Sequence, residues 1–147
     1  MLCHCRRYVV LVAGILFAGC SDNSRAPTFP VTGKVMYRKT TVPTGAQVVF
    51  HPLDPLVEKK IGGKPRGIVK EDGTYTLTMY SPDDGAPEGE YGVTIDWRAK
   101  PKEGGMLGDE GRSTKPLLKP KYSTPNKPAF KVTVKKGEKN EHNFDVD

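Results

Sequence analysis

From residue 30 onward the chain is built of short runs in which apolar and polar residues alternate, each closed by Gly, Pro or Asp. Side chains of an extended strand point to opposite faces in turn, so such a run has one face to bury and one to leave in water. Val31, Gly33, Val35 and Tyr37 form one row, with Thr32, Lys34 and Arg38 opposite. Ala46, Val48 and Phe50 share a row, with Gln47 and His51 turned away. Tyr75, Leu77 and Met79 form the next, followed by Tyr91, Val93, Ile95 and Trp97, then Phe130, Val132 and Val134, then His142, Phe144 and Val146. A weaker strand is expected around Arg66–Lys70.

The intervals fit the same picture. Glu71-Asp72-Gly73-Thr74 offers the Asp-Gly pair whose positive φ suits a tight hairpin. Lys135-Lys136-Gly137-Glu138 does the same before the last run, and Ser81-Pro82-Asp83-Asp84-Gly85 closes the fourth. Half-buried strands need a second layer to cover the first, so an all-β, seven-stranded, two-layer sandwich over residues 30–147 is expected. Residues 98–128, rich in Lys, Gly and Pro, show no clear strand and read as a long loop, a feature that is usually functional or disordered.

The first residues obey different rules. Arg6 and Arg7 precede the uncharged apolar stretch Tyr8–Ala18, after which come Gly19 and Cys20. Basic residues, an apolar run and small residues in that order mark a secretory signal peptide, here residues 1–19. The run is about half the ~20 residues a membrane-spanning helix requires. Leu16-Phe17-Ala18-Gly19-Cys20 resembles the lipobox of bacterial lipoproteins, with Phe17 where Leu is usual. That resemblance implies cleavage before Cys20 and attachment of acyl chains, palmitate among them, through its sulfur. Two or more chains, at ~0.8 kcal/mol per buried methylene, hold a protein stably at a bilayer. An ordinary cleaved signal with an incidental cysteine is the alternative. Ser21 follows the cysteine, and the absence of Asp there slightly favours the outer membrane over the inner. Residues 20–29 read as a lipidated flexible tether.

Removing residues 1–19 takes Cys3 and Cys5 with it, and the net charge falls from +6 to +4 as Arg6 and Arg7 leave. The mature chain would then have no disulfide and depend on its core alone. A mildly basic balance spread among turns, with no nucleic-acid motif, argues against nucleic acid as a partner.

Several segments together carry a wider resemblance: Val31-Thr32-Gly33-Lys34-Val35, Val42-Pro43, Gly45-Ala46, Val48-Val49-Phe50, Glu71 through Leu77, then Pro87, Gly89 and Glu90 through Ile95. They resemble the carboxypeptidase regulatory-like domain of the transthyretin-like superfamily, in particular small lipoproteins with one such domain alone. The match spans about residues 30–97, and Lys131–Val146 fits its last two strands. Thr40-Thr41 departs from the glycine-containing turn common there. The resemblance implies a prealbumin/transthyretin-like Greek-key β-sandwich that serves as an accessory, adhesion or stability module and offers no catalytic residues to carry over.

The residues themselves offer little chemistry. His51 and His142 are far apart and have no metal-site spacing. Asp83, Asp84, Glu88 and Glu90 lack the spacing of a calcium loop. There is no Gly-x-Ser-x-Gly elbow and no phosphate-cradling loop. No cofactor, metal or catalytic residue is therefore expected. The candidate partner contacts are Trp97, at the end of its strand, and Lys119, Lys121 and Tyr122, where an aromatic ring exposed between cations could meet an acidic glycan or a protein, with Leu117 and Leu118 pinning the segment to the sandwich. The expected function is that of a non-catalytic, envelope-anchored binding or structural module touching envelope proteins or polysaccharide. The alternative is a carbohydrate- or small-ligand-binding accessory of an extracellular hydrolase.

Overall fold

The computed structural model describes residues 25–99 and 115–147. The expected signal peptide, residues 20–24 of the tether with Cys20 among them, and residues 100–114 of the long loop lie outside the described residues.

Among the described residues the regular structure is almost entirely β. Its strands are β1 (Thr28–Phe29), β2 (Val31–Tyr37), β3 (Gln47–Pro52), β4 (Arg66–Ile68), β5 (Thr74–Thr76), β6 (Ala86–Pro87), β7 (Gly89–Asp96), β8 (Phe130–Val134), β9 (Asn140–Glu141) and β10 (Phe144–Val146). One sheet has the order β10-β2-β5, with β9 also paired to β2; the other has the order β4-β3-β7-β8. β1 and β6 form a separate two-stranded ribbon. The seven expected runs correspond to β2, β3, β4, β5, β7, β8 and β10. β1, β6 and β9 are two-residue additions, too short to leave a periodic signal.

The inward rows make a single core. Val31, Val35, Val48, Phe50, Tyr91, Val93, Ile95 and Val134 are fully buried, and Tyr75, Leu77, Phe144 and Val146 nearly so. Aromatic contacts cross between the sheets. Phe144 meets Phe130 at 4.9 Å and Phe50 at 6.5 Å between ring centroids, and it stacks on Tyr75 within its own sheet at 6.1 Å. Tyr37 of β2 meets Trp97, just beyond β7, at 5.7 Å. The sandwich is closed along one side because the strand leaving β5 changes sheets. Leu77 N donates to Val31 O, while the next residue, Thr78, exchanges both backbone hydrogen bonds with Arg66.

Two local features differ from expectation. A seven-residue helix, α1 (Pro55–Ile61), follows β3. Asp54 caps it by accepting from Leu56 N at 2.8 Å, Pro55 opens its first turn, and Gly62 ends it in the left-handed region. The outer face of β7 is also covered in its middle: Gly92 lies under Pro128 and Leu53, and Thr94 is buried against His51, so the outward row of this central strand is buried at these two positions.

The last strand joins β2 in parallel, Asn140 opposite Val31 and Phe144 opposite Val35. Between β9 and β10 the ladder is interrupted, and side chains complete it. Lys34 N donates to Asn143 Oδ1 at 2.8 Å, and the Tyr75 hydroxyl donates to His142 O at 2.8 Å. The His142 carbonyl lies so close over Gly33 that a β-carbon there would sit 1.8 Å from it. The turn glycines take the expected positive φ, +84° at Gly73 and +75° at Gly137, but neither turn closes a hairpin of paired strands, because β4 and β5, like β8 and β9, lie in different sheets. Asp72 accepts from both the backbone N and the hydroxyl of Thr74, a hydrogen-bonded pair that holds its carboxyl below the ordinary range.

Candidate functional site

The chain enters the sandwich at the start of β2, and the candidate site gathers at the other end of the same strand. There β2 runs into Arg38 and Lys39, which both adopt positive φ, 50° and 61°. Thr40 N and Thr41 N donate back to Tyr37 O. Two successive left-handed residues are the geometry of a tight hairpin turn that Asn-Gly adopts readily and long side chains resist, at roughly 1–2 kcal/mol per residue. The end of β10 holds them there. Arg38 N donates to Val146 O at 2.7 Å, and Lys39 N donates to Asp145 Oδ1 at 3.1 Å.

Beside this turn, the Arg38 guanidinium lies 5.0 Å over the Tyr37 ring, which in turn packs on Trp97. Trp97 O accepts from Leu117 N at 2.8 Å and Ala99 N donates to Lys115 O, so the two limbs of the long loop are joined at its base. The returning limb then plugs Leu118 into the core and leaves Leu117 40% exposed, so one of the two expected pins holds. A single 3₁₀ turn, Pro120–Tyr122, follows.

The expectation that Tyr122 is exposed is corrected here. Its ring is only 4% exposed and stacks on Phe130 at 5.8 Å. The cause is the end of β10. The Asp147 carboxylate accepts from the Tyr122 hydroxyl and from Lys119 Nζ, and meets Lys121 Nζ at 2.8 Å. Asp147 N donates to the Tyr122 oxygen at 3.2 Å. Lys119, Lys121 and Tyr122, in that order of weight, hold the Asp147 carboxyl far below the usual carboxylate range. The same contacts push the Lys121 ammonium up, Asp147 first and Tyr122 second. Lys121 also lies 4.6 Å over the Tyr122 ring.

Trp97, Lys119, Lys121 and Tyr122 thus share one end of the sandwich, Trp97 reached through Tyr37 and Leu117, the other three through Asp147. Tyr37, Arg38, Lys39 and Asp147 belong to the same end and were not singled out from sequence. An Arg-Lys pair carries no turn signal, and the role of Asp147 depends on a partner 25 residues away in the chain. The described cations here, Arg38, Lys39, Arg98, Lys115, Lys119, Lys121 and Lys127, outnumber the nearby carboxylates Asp96, Asp145 and Asp147, of which Asp96 pairs with Arg98 at 2.7 Å. Lys121, Tyr122, Thr124, Lys127, Phe130 and Asp145 border a depression of about 480 Å³.

A larger groove, about 720 Å³, lies on the outer face of the β10-β2-β5 sheet, among Thr32, Lys34, Met36, Thr74, Thr76 and Asn143. The Thr74 hydroxyl there donates to the Asp72 carboxylate at 2.7 Å. Among the described residues no three His, Cys, Asp or Glu side chains are grouped as a metal site, and no helix is long and apolar enough to cross a membrane. His51 and His142 are placed by the fold rather than by a shared ligand. His51 Nε2 bonds Thr94 Oγ1 at 2.8 Å, and the His142 ring packs 6.1 Å from that of Phe50. Burial lowers the pKa of both.

No family model, characterised protein or solved structure matches the chain.

Proposed function

We propose that this chain is a non-catalytic lipoprotein of the cell envelope, anchored through Cys20, that presents its cationic end to an anionic envelope partner, protein or polysaccharide. The observation that carries the reading is the separation of two features along β2. The tether joins at Val31, the cationic turn follows Tyr37, and seven extended residues put about 20 Å between them. An anchored domain built this way turns its cations away from the bilayer that holds it. Long lysines around a fixed carboxylate supply attraction and steering for an acidic surface rather than a catalytic pocket.

On this reading the sandwich is of the transthyretin-like Greek-key type, a carboxypeptidase regulatory-like domain used as a recognition or structural module. Residues 1–19 are removed on export, and the outer membrane is the favoured address. A second reading, a carbohydrate-binding accessory, draws on the depression beside Lys121, where the stacked Phe130 and Tyr122 rings lie among Lys127 and Thr124.

Cross-linking in the native cell, purification through a C-terminal tag and mass spectrometry test the proposal. A recurrent acidic partner that is lost from the Lys119→Ala/Lys121→Ala/Lys127→Ala variant is the expected result. A partner retained undiminished by that variant would remove the cationic end from the function. Release of the Cys20→Ala chain from membranes, with loss of the lipid mass, is expected in parallel. A chain that stays bound at unchanged mass would end the anchor reading.

A further inference from the structure

The tether end of the sandwich carries a second surface. α1 lies at this end because β3 runs antiparallel to β7, Pro52 opposite Tyr91, and so delivers the chain to the end where β1 and β6 pair. The helix buries Ile61 and half-buries Val57, one turn apart. Its opposite face carries Leu56, 77% exposed, with Lys59 and Lys60 three and four positions on, the spacing that sets side chains side by side on a helix. The carboxylates of this element are engaged elsewhere: Asp54 caps the helix, and Glu58 meets Lys64 at 3.4 Å. Among the described residues neither Lys59 nor Lys60 forms an ion pair, whereas Lys135 and Lys139 of the neighbouring turn pair with Glu138 and Glu141.

The start of the described chain lies against this helix. The Arg25 guanidinium sits 5.5 Å over the Tyr80 ring, and the Tyr80 hydroxyl donates to Ile61 O at 3.4 Å. Cys20 precedes Arg25 by five residues, a span of at most about 17 Å. Leu56 lies about 7.5 Å from Ile61 along the helix. A lipid on Cys20 therefore keeps α1 within one short tether of the headgroups. An exposed leucine between two lysines suits that layer, because the apolar chain enters the acyl boundary while the ammonium groups stay among phosphates.

We propose that the Leu56–Lys59–Lys60 face of α1 is a membrane-contact surface, seated on anionic lipid headgroups beside the acyl anchor and fixing the orientation in which the opposite end is displayed. The inference rests on the Cys20 anchor proposed above. It does not depend on the identity of the partner at the cationic end.

The test uses the full lipid-bearing chain, reconstituted into vesicles of phosphatidylethanolamine with phosphatidylglycerol. Leu56→Cys and, at the far end beyond Trp97, Lys115→Cys are each labelled with an environment-sensitive fluorophore. Both positions are solvent-exposed, and the mature chain, with its Cys20 sulfur alkylated, has no other free thiol. Quenching by spin-labelled lipids is expected to be at least severalfold stronger at position 56 than at 115. Lys59→Glu/Lys60→Glu should then weaken it by about fivefold or more, at about 1 kcal/mol for each lysine near an anionic surface. A chain that carries its lipid and shows equal quenching at the two positions overturns this inference and leaves the anchor standing. A chain without lipid mass on Cys20 overturns the anchor, and this inference with it.

Discussion

Replacing Gly33 with alanine tests how the last strand is held. The new β-carbon would sit 1.8 Å from His142 O and 2.8 Å from Tyr75 Cε1. Ordinary contact requires the segment to retreat by about 1.5 Å. Two hydrogen bonds lie directly in that path, His142 N to Thr32 O at 2.9 Å and the Tyr75 hydroxyl to His142 O at 2.8 Å. Each contributes about 1 kcal/mol. Partial loss of Phe144 burial adds about another 1 kcal/mol out of the 1.5–3 that full burial of such a side chain provides. The expected loss is about 3 kcal/mol. In a urea titration at a slope of about 1.5 kcal/mol/M, this is a midpoint lowered by about 2 M. Trp97, the single tryptophan, reports the transition from beside Tyr37. Thr32→Ala, on the exposed row next door, should stay within about 0.5 kcal/mol. A Gly33→Ala loss below about 1 kcal/mol would mean the crossing over Gly33 is not a tight one, and the account of the last strand would fall.

Phe144→Ala removes the ring that joins Phe50, Tyr75 and Phe130, and should cost about 3–5 kcal/mol by thermal or urea unfolding, in contrast to a near-neutral Leu56→Ala. Asp84 accepts from Met79 N at 2.7 Å and from Tyr80 N and Ser81 N at 3.0 Å, so Asp84→Ala should lose about 2–3 kcal/mol, measured the same way. Acid should weaken the fold through its histidines. His51 Nδ1 and His142 Nε2 are buried with no hydrogen-bond partner among the described residues, and burial holds both pKa values below 6.5. The unfolded chain therefore binds protons first, and stability should be level above about pH 6.5 and fall as pH drops below it, which urea midpoints across that range would register. A pH-independent midpoint between neutrality and the onset of carboxylate titration would contradict the burial of the two rings.

The strands were legible where one face of the sheet meets water. β2, β3 and β5 keep an inward row and a wet or half-wet row, so period two was visible in Val31–Tyr37, Ala46–Phe50 and Tyr75–Met79. β7 also read as alternating, yet Thr94 and Gly92 are buried, because the polarity of a residue does not reveal that a distant proline or histidine will cover it. α1 was missed although Asp54, Pro55 and Gly62 are its start and stop signals, since seven residues are too few to establish a helical period. At the candidate site, the lysines and aromatics of 117–122 could be nominated from composition. Their grouping with Arg38, Lys39 and Asp147 could not, because it is produced by the parallel pairing of β10 with β2 across the length of the domain. Tyr122 changed from a displayed ring to a buried one for the same reason: the carboxylate that draws it in lies 25 residues further along the chain and is placed there by β10.

That pairing also governs when the fold can exist. β2 is among the first segments of the domain to be made and β10 the last, yet Phe144 and Val146 fill core positions against Val35 and Tyr37. Contacts so distant in sequence form late and slowly. A chain emerging from its N-terminus has most of its strands before it has the one that completes the first sheet, and it must keep Val31, Val35 and Tyr75 uncovered until then. In a chain exported as proposed above, this order would act as a delay: the sandwich would not close ahead of β10, so the domain would remain transportable until that strand had passed.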